Sequence, residues 1–389
     1  MSPAMSPAMS PAIPPKFLKR PSVLTFLRKA LRPLAGAAAL VALWAGAASA
    51  ETVIRFGHPG VGAEQRAFSH GDPTTYARAR ELIEKEFAND KDVKIEWTFF
   101  RGAGPALNES VASGQLDFFL LGDLPAIVGR ARGLKHKFIF ATQRNNPIFL
   151  AVPANSDIAK VEDVKGRKVA LFKGTNLQNA TDRILALHGL SEKDVRFINL
   201  DANAAVAALS SGNVDAVFGG QEYLPLAARG VVKIVYTTKN DDPTLGRNSS
   251  YFVTEKFAAE HPELTQRVVT TFIKAARFIS LDENREEAFE AWALSGLPKE
   301  TFATNFEGVR LSHIVNPLID DYVVARYKEQ AAAAKEYGLL KGDPDIDHWF
   351  DRSYLDKALK DLALEDFWST HDAKGKIVTR GRIDQKASN

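Results

Sequence analysis

The chain of 389 residues contains no cysteine. This absence excludes disulfide bonds, thiolate metal ligands and a cysteine nucleophile. It also argues against a lipoprotein anchor, because that lipid is attached to a cysteine just after an export signal. An exported protein without such an anchor is expected in a space that an outer membrane closes, which is the periplasm.

Motifs of catalytic and metal sites are also missing. The eight histidines form no HxxxH, HxH or HExxH pair, and neither a GxSxG elbow nor a GxxxxGK[ST] loop occurs. His58 and His70 flank a glycine-rich loop after the first predicted strand and are expected to be solvated. We therefore predict a protein that is not an enzyme and that holds no cofactor and no metal.

The first fifty residues predict export. They contain six basic and no acidic residues, an apolar run over Leu34–Ala48, and a final Ala48-Ser49-Ala50. This order is typical of a secretory signal peptide cleaved after Ala50. A retained membrane anchor is the weaker alternative, because the apolar run is shorter than the about 20 residues that span a bilayer. The start codon stays open among Met1, Met5 and Met9.

Charge argues against nucleic acid as a partner. The whole chain has 50 basic and 47 acidic residues, but six of the basic residues lie in the signal peptide. The exported part therefore has a net charge of about −3, whereas a nucleic-acid-binding domain needs a basic stripe on its surface. We therefore predict no nucleic-acid partner.

Strand and helix patterns alternate along the exported part. Thr52–Gly57 and Lys94–Phe100 predict strands on either side of a helix from about Thr75 to Phe87. Further strands are predicted at 117–121, 138–140, 148–153, 168–172, 195–200, 216–218 and 233–236. Such alternation is typical of an α/β fold with largely parallel sheets. Helices are predicted beyond about residue 250, at 262–279, 283–292, 318–337 and 354–364.

An internal similarity at a constant offset of 98 residues divides the α/β part in two. Ser113–Asp117 lies over Ser211–Asp215, and Gly122 lies over Gly220. Because the identities are few, chance similarity is the alternative to two lobes of the same topology. We predict a first lobe from residues 51–150 and a second from 151–250. Residues 251–389 are predicted to return to the first lobe and to form a helical C-terminal region.

Four glycine-bearing turns between a strand and a helix are candidates for a binding site. They are Arg101–Ala106, Gly122–Pro125, Lys173–Asn176 and Gly219–Glu222. Open α/β sheets bind ligands beyond the carboxyl ends of their strands, and helix N-termini favour anionic oxygens. Each turn alone is explained by an ordinary helix start, and Asp123 is expected to be an N-cap. Two facing lobes with such turns would enclose a small oxyanion.

These turns resemble the aliphatic sulphonate, taurine and nitrate family of ABC substrate-binding proteins. The resemblance rests on Gly104–Glu109, Ser113–Asp117, Gly122–Pro125, Asp163–Ala170, Lys173–Asn176, Tyr337–Leu340 and Asp351–Leu355, which span nearly all of the exported part. It implies a type II-like periplasmic-binding-protein fold with the ligand between two lobes. The ligand contacts that it implies are Gly104, Pro105, Asp123, Gly174, Thr175 and Asn176. The same turns add Arg101, Gln221 and Glu222 as candidates.

Two segments depart from the family pattern. Gly219–Tyr223 stands where sulphonate binders commonly have a Trp-Asp-Pro-Tyr-like segment, and the loop Gly60–Pro73 is longer than the pattern. Both lie on the ligand side, so they bear on the choice of ligand and not on the fold. Fold relatives that make a thiamine-precursor pyrimidine carry a cysteine-rich motif, which this chain lacks.

The function that the resemblance implies is capture of a small polar or anionic solute for an ABC permease and, through it, its ATPase. The expected solute is a small oxyanion such as an aliphatic sulphonate, and the protein is expected to be a periplasmic monomer. One alternative is a nitrate, taurine or aromatic-acid ligand for the same kind of importer. Another is a periplasmic sensing subunit for a receptor kinase. Both functions need a cleft that closes on its ligand, so both stay open at this point.

Overall fold

The computed structural model describes residues 51–69 and 71–385. The signal peptide predicted for residues 1–50, with its candidate start methionines, and His70 lie outside the described residues. The described part forms two five-stranded sheets with helices packed around them, and a two-stranded sheet near its end. No helix within this part is long and apolar enough to cross a membrane.

The first sheet combines four strands from the start of the described part with one strand that comes much later. The strands are β1 (Thr52–Pro59), β2 (Val93–Phe100), β3 (Phe118–Gly122), β4 (His136–Asn146) and β10 (Arg247–Thr254). Their order is β2-β1-β3-β10-β4. β1 is parallel to β2 and β3, whereas β10 is antiparallel to β3 and β4. Only β10 therefore runs against the other four strands of this sheet.

The second sheet repeats this arrangement. Its strands are β5 (Phe149–Pro153), β6 (Lys168–Leu171), β7 (Arg196–Asn199), β8 (Ala216–Gly219) and β9 (Val232–Thr237). Their order is β7-β6-β8-β5-β9, and β5 is the reversed strand. The prediction of an α/β fold with mostly parallel sheets is confirmed.

The reversed strand of each sheet is the strand that follows a crossing between the sheets. β4 continues through Pro147 and Ile148 into β5, and β9 continues through residues 238–246 into β10. We call the first sheet with its helices the first lobe and the second sheet with its helices the second lobe. The predicted limits after residues 150 and 250 fall inside β5 and β10, and they stay a prediction.

The internal offset of 98 residues has a physical counterpart. Asp117 accepts a hydrogen bond from the backbone N–H of Arg55 at 2.9 Å, and Asp215 accepts one from that of Lys168 at 2.8 Å. Each aspartate thereby fixes the start of one parallel strand against another in its own lobe. Together with the shared strand order, these contacts favour two lobes of one topology over a chance similarity.

Helices flank both sheets and form most of the C-terminal region. The first lobe has α1 (Pro73–Ala79), α2 (Leu82–Glu86), α3 (Ala103–Ala112) and α4 (Asp123–Ala131), and the second has α5 (Asn176–Leu187), α6 (Ala202–Ser210) and α7 (Leu224–Ala228). The later helices are α8 (Glu255–Glu260), α9 (Pro262–Ser280), α10 (Arg285–Trp292), α11 (Lys299–Asn305), α12 (Leu311–Ile314), α13 (Asp321–Glu336), α14 (Ser353–Asp361) and α15 (Arg382–Gln385). The strands β11 (Thr370–His371) and β12 (Ile377–Thr379) form the small sheet.

The single helix predicted from Thr75 to Phe87 is wrong, because the structure has two helices there. Glu81 separates α1 from α2 in a left-handed conformation, with φ +54°. Apolar spacing continues on both sides of this one residue, so periodicity does not show the break. The predicted C-terminal helices correspond to α9, α10, α13 and α14.

Apolar packing distinguishes the two lobes. The first lobe and the C-terminal helices share one large core, in which Phe56, Phe118 and Phe252 lie fully buried on three strands. In the second lobe, the neighbouring residues Leu150 and Ala151 of β5 belong to separate apolar clusters. Successive side chains of a strand point to opposite faces. The second sheet is therefore covered on both faces.

Candidate ligand-binding cleft

A cavity of about 180 Å³ lies between the two sheets. Its walls are the segments that follow the carboxyl ends of β1, β2, β3, β6, β7 and β8, together with the start of β10. This is the side on which open α/β sheets bind ligands. Six of the candidates from sequence line the cavity, namely Arg101, Gly104, Thr175, Asn176, Gln221 and Glu222.

The first-lobe wall contains two helix N-termini without side-chain caps. Gly102 and Gly122 are the N-caps of α3 and α4, and neither has a side-chain oxygen that could accept from the free N–H groups. Gly104 packs so closely on Pro125 that a Cβ on Gly104 would lie 2.4 Å from the proline Cβ. The two N-termini thus lie side by side at the cavity, where their N–H groups favour an anion.

Asp123 lies beside the cavity and not in its lining. The expectation that it is an N-cap is wrong, because Gly122 holds that position and Asp123 is the first residue of α4. Its carboxylate accepts hydrogen bonds from Leu124 N at 2.7 Å and Asn248 Nδ2 at 3.4 Å. Burial raises the pKa of the Asp123 carboxyl to about 6.

Thr175 and Asn176 form the second-lobe wall at the start of α5. Thr175 is the N-cap, and its hydroxyl accepts from Leu177 N at 3.3 Å and donates to Phe172 O at 2.7 Å. The Asn176 side-chain amide donates to Asn248 O at 3.1 Å, on the first-lobe strand β10. Asn176 is therefore a point at which the second lobe already contacts the first.

Pro105 and Gly174 also lie outside the cavity lining, but they face each other across the lobes. Gly174 has φ +76°, in the region that favours glycine. A Cβ on Gly174 would lie 2.9 Å from Pro105 Cγ. The close approach of the lobes at this place depends on the missing side chain.

An ion pair and a hydrogen bond join the lobes at the edge of the cavity. Arg101 Nε lies 2.8 Å from Asp201 Oδ2, so a first-lobe cation meets the N-cap residue of α6. Asn203 Nδ2 donates to Gly62 O at 3.1 Å, across the same gap. The candidate Arg101 therefore has a protein partner in this arrangement.

The candidates Gln221 and Glu222 belong to a short 3₁₀ turn after β8. Glu222 Oε1 accepts a hydrogen bond from Gly220 N at 2.9 Å. A Cβ on Gly220 would lie 2.5 Å from Arg247 Nη2 and 2.8 Å from Glu222 Oε2. The absence of a side chain at Gly220 thus lets a guanidinium and a carboxylate approach one point of the cavity wall.

Arg247 is the principal residue that sequence reasoning missed. It is the first residue of β10 and lines the cavity, and among the described residues its guanidinium donates only a long hydrogen bond, to Pro147 O at 3.4 Å. Burial lowers the pKa of this guanidinium, while the nearby charges of Glu222 and Asp123 oppose that shift. The sequence signal that could have indicated Arg247 is its position as a basic residue at the start of β10, the strand that follows the second crossing between the lobes.

Asp72 is a second lining residue that the sequence did not single out. It caps α1, and its Oδ1 accepts from Thr74 N at 2.7 Å and Thr75 N at 2.9 Å. Among the described residues nothing donates to its other oxygen, Oδ2. Burial raises the pKa of the Asp72 carboxyl.

The charges of the cavity lining do not cancel. The charged residues are Asp72, Arg101, Asp201, Glu222 and Arg247. Arg101 and Asp201 pair with each other. Within residues 51–69 and 71–385, the other three have no ion-pair partner within 4.0 Å, which leaves two carboxylates and one guanidinium for other partners. No group of three His, Asp or Glu residues in the same ranges could hold a metal ion.

His58 is not in a solvated loop, so that expectation is wrong. The residue belongs to β1 and is fully buried among the rings of Trp97, Phe99 and Tyr251. Neither ring nitrogen has a hydrogen-bond partner in the described part of the chain. Burial, followed by the charge of Arg78, lowers the pKa of His58 to about 3. The histidine is a neutral core residue.

Sequence comparison finds relatives named as binding proteins. The chain is 28% identical over 294 residues to a putative aliphatic sulfonates-binding protein of Bacillus subtilis, covering 74% of this chain and 85% of the relative. It is 29% identical over 231 residues to a protein of the same description from Escherichia coli, covering 59% and 70%. These relatives confirm the resemblance to sulphonate-binding proteins.

Solved structures confirm the two-lobed periplasmic-binding-protein fold. The putative periplasmic sulfonate-binding protein SsuA of Methylobacillus flagellatus is 27% identical with a TM-score of 0.71, covering 82% of this chain and 98% of that chain. The desulfurization enzyme DSZB shares the fold at 14% identity and a TM-score of 0.59, covering 79% and 99%. A family model described as NMT1/THI5 like matches residues 83–284. The chain therefore belongs to the NMT1/THI5-like family.

Proposed function

We propose that this protein is the periplasmic solute-binding component of an ABC importer for a sulphonate or a similar small oxyanion. The observation that carries the proposal is Arg247, a guanidinium that lines the cavity without a carboxylate within 4.0 Å in the described part of the chain. The arginine is half-buried and its Nε is fully buried without a hydrogen-bond partner in the described part of the chain, and a cation withdrawn from water is costly unless a partner is supplied. An anionic ligand is such a partner.

The ligand's oxygens have two further sources of hydrogen bonds. The uncapped N-termini of α3 and α4 lie at the same cavity, and Gly104 and Gly122 bring their backbone N–H groups to its wall. A guanidinium binds oxyanions through planar, paired hydrogen bonds, and helix N-termini add a favourable partial charge. A sulphonate, with three equivalent oxygens, can use both at once.

Binding between the lobes couples ligand capture to closure. The lobes are joined by the segments 147–148 and 238–246 and touch at Arg101–Asp201, Asn176–Asn248 and Asn203–Gly62. Hinge closure around a ligand at such contacts is a common design of binding proteins. The closed form is the state that we propose the ABC permease, and through it the ATPase, recognises.

Binding without catalysis is the role that the relatives support. The aliphatic sulfonates-binding proteins of B. subtilis and E. coli are named for binding, and DSZB shares the fold alone. Location in the periplasm after cleavage at Ala50 follows from the predicted signal peptide and from the relatives' periplasmic names. Mass spectrometry of protein recovered from the periplasm should find Glu51 at the N-terminus.

Calorimetry with Arg247→Gln tests the proposal. Loss of a charge-assisted hydrogen bond should weaken sulphonate binding by about 1.5–3 kcal/mol, which is one to two orders of magnitude in Kd. Arg132→Gln, at the exposed end of α4, is the matched control and should bind as the unchanged protein does. Equal affinities of Arg247→Gln and the control for every sulphonate that binds would reject the proposed role of Arg247.

A further inference from the structure

Asn179 and Gln330 form a buried contact between the lobes outside the ligand cavity. Asn179 lies on α5 of the second lobe and is fully buried, and Gln330 lies on α13 and is 1% exposed. Neither residue belongs to the lining of the cavity. The contact therefore joins two helices at a place that a ligand in the cavity does not reach.

Each of the two helices is fixed to its own lobe. Ile184 and Leu185 of α5 belong to an apolar cluster of the second sheet. On α13, the ring of Tyr327 packs on that of Phe138 with centroids 5.0 Å apart, and its hydroxyl donates to Ser250 Oγ at 2.9 Å. Phe138 and Ser250 lie on strands of the first sheet. A rotation of one lobe against the other must therefore shift α5 against α13.

The hydrogen bonding of this contact is incomplete. Asn179 Nδ2 donates to Gln330 Oε1 at 2.5 Å and to Gln330 O at 3.2 Å. Asn179 Oδ1 and Gln330 Nε2 are buried and have no partner among the described residues. Turning both amides over would bring Asn179 Oδ1 against the carbonyl oxygen of Gln330, so that exchange does not satisfy the pair. Unpaired polar atoms of this kind are costly to withdraw from water.

We infer that Asn179 and Gln330 are positioning residues that lower ligand affinity by disfavouring the arrangement in which the lobes touch. The inference rests on the proposed function and concerns the regulation of the same site. When the lobes separate, water reaches the unpaired acceptor and donor, so the separated arrangement gains stability relative to the one with the buried contact. A ligand that needs both lobes binds in proportion to the population of lobes that touch. The contact thereby keeps the empty protein open and promotes release of the ligand.

Single and double substitutions should have opposite effects on ethanesulfonate binding, which calorimetry measures. Asn179→Leu or Gln330→Met alone leaves the amide of the other residue without its side-chain partner, so each should weaken binding by roughly threefold or more. Together they replace the whole polar pair with apolar side chains of similar shape. The double variant should therefore bind roughly threefold or more tightly than the unchanged protein.

The control carries the same new side chains on the same helices but away from the contact. Ala186→Leu combined with Ala332→Met changes two exposed residues of α5 and α13 and should leave the affinity unchanged. Small-angle scattering without ligand gives a second measurement. The Asn179 and Gln330 double variant should have a smaller radius of gyration than the unchanged protein, and a purely structural role would not produce this shift.

Gln330→Glu keeps the inference testable if the double variant does not fold. Its carboxylate can still accept from Asn179 Nδ2, but its charge is withdrawn from water only while the lobes touch. This variant should bind ethanesulfonate roughly tenfold more weakly and should be larger without ligand than the unchanged protein.

The outcomes distinguish the inference from the proposed function. A folded double variant that binds no more tightly than the unchanged protein, or a Gln330→Glu variant of unchanged affinity, overturns the inference and leaves the proposed function in place. Absence of binding of every sulphonate to the unchanged protein overturns the proposed function. Scattering without ligand then still tests the contact, and equal radii of the unchanged protein and both variants overturn its role.

Discussion

Arg101 Nε and Asp201 Oδ2 lie 2.8 Å apart and connect the turn after β2 in the first lobe to the start of α6 in the second. The arginine side chain is 63% exposed, so water and salt screen the pair. We therefore expect the contact to be a weak latch between the lobes and not a main source of stability.

The contact between Arg101 and Asp201 should contribute little to ligand affinity, and its contribution should fall as salt is added. Arg101→Gln and Asp201→Asn, alone and combined, should give a coupling energy for ligand binding of about 0.2–1 kcal/mol. The asparagine side-chain oxygen can still accept from Ala204 N and cap α6, so helix stability should hold. Calorimetry at low and at 0.5 M salt measures the coupling, and a value that does not fall with salt contradicts the electrostatic explanation.

Gly174 offers a steric test of lobe closure. Gly174→Ala places a Cβ 2.9 Å from Pro105 Cγ in the other lobe, on a backbone with φ +76°. Gly189→Ala has nearly the same backbone strain, with φ +72°, but no atom lies within 4 Å of its Cβ. Both variants should lose about 1 kcal/mol of stability. Only Gly174→Ala should also weaken ligand binding, and equal affinities would show that the lobes need not approach there.

Thr175 and Asn176 are expected to contribute to ligand affinity from the second lobe. Thr175→Ala combined with Asn176→Ala removes the N-cap hydroxyl and the cross-lobe bond to Asn248 O. Affinity should fall by at least tenfold, and stability by about 1 kcal/mol from the lost cap.

The control for this double variant is Ser210→Ala combined with Ser211→Ala. These hydroxyls bond to Val206 O and Ala208 O at the far end of α6, away from the cavity. The control should bind ligand normally in the same titration. If the Thr175 and Asn176 double variant keeps the unchanged protein's affinity, the site does not include this turn.

Asp182 should make stability depend on pH. Burial, and then the charge of Glu192, raises the pKa of its carboxyl to about 7, above the value of about 3.9 for an unfolded chain. The folded protein then holds this proton more tightly, so the free energy of unfolding falls as pH rises from about 4 to about 7. Asp182→Asn should remove that part of the dependence and stabilise the protein by about 1–3 kcal/mol at pH 8. Denaturant titrations of the variant and the unchanged protein at pH 5 and pH 8 measure this difference in unfolding free energy. An equal difference at both pH values would contradict a raised pKa of Asp182.

Local patterns were sufficient for much of the fold. The buried apolar run of β3 and the alternation of β2 predicted strands, and glycine turns predicted where helices begin. Strand order is different, because β10 pairs with β3 and β4 from more than a hundred residues away. Periodicity carries no information on such partners, although the offset of 98 residues did indicate two similar lobes.

The candidate site was predictable where it is built from turns and not where it depends on tertiary contacts. Gly104, Thr175 and Asn176 lie in the turns that follow strands, so the rule that ligands bind beyond the carboxyl ends of strands indicated them. Arg247 is one of 50 basic residues in the chain, and only the crossing of β10 between the lobes distinguishes it. In the sequence, Asp72 is an ordinary helix-cap residue, and its place in the cavity wall is visible only in the assembled structure.

A crystal structure of the protein with bound ethanesulfonate tests the central claim most directly. The account predicts the sulphonate between the N-termini of α3 and α4, with its oxygens within hydrogen-bond distance of the Arg247 guanidinium. A sulphonate that lies outside this cavity, or inside it without contact to Arg247, would contradict the account.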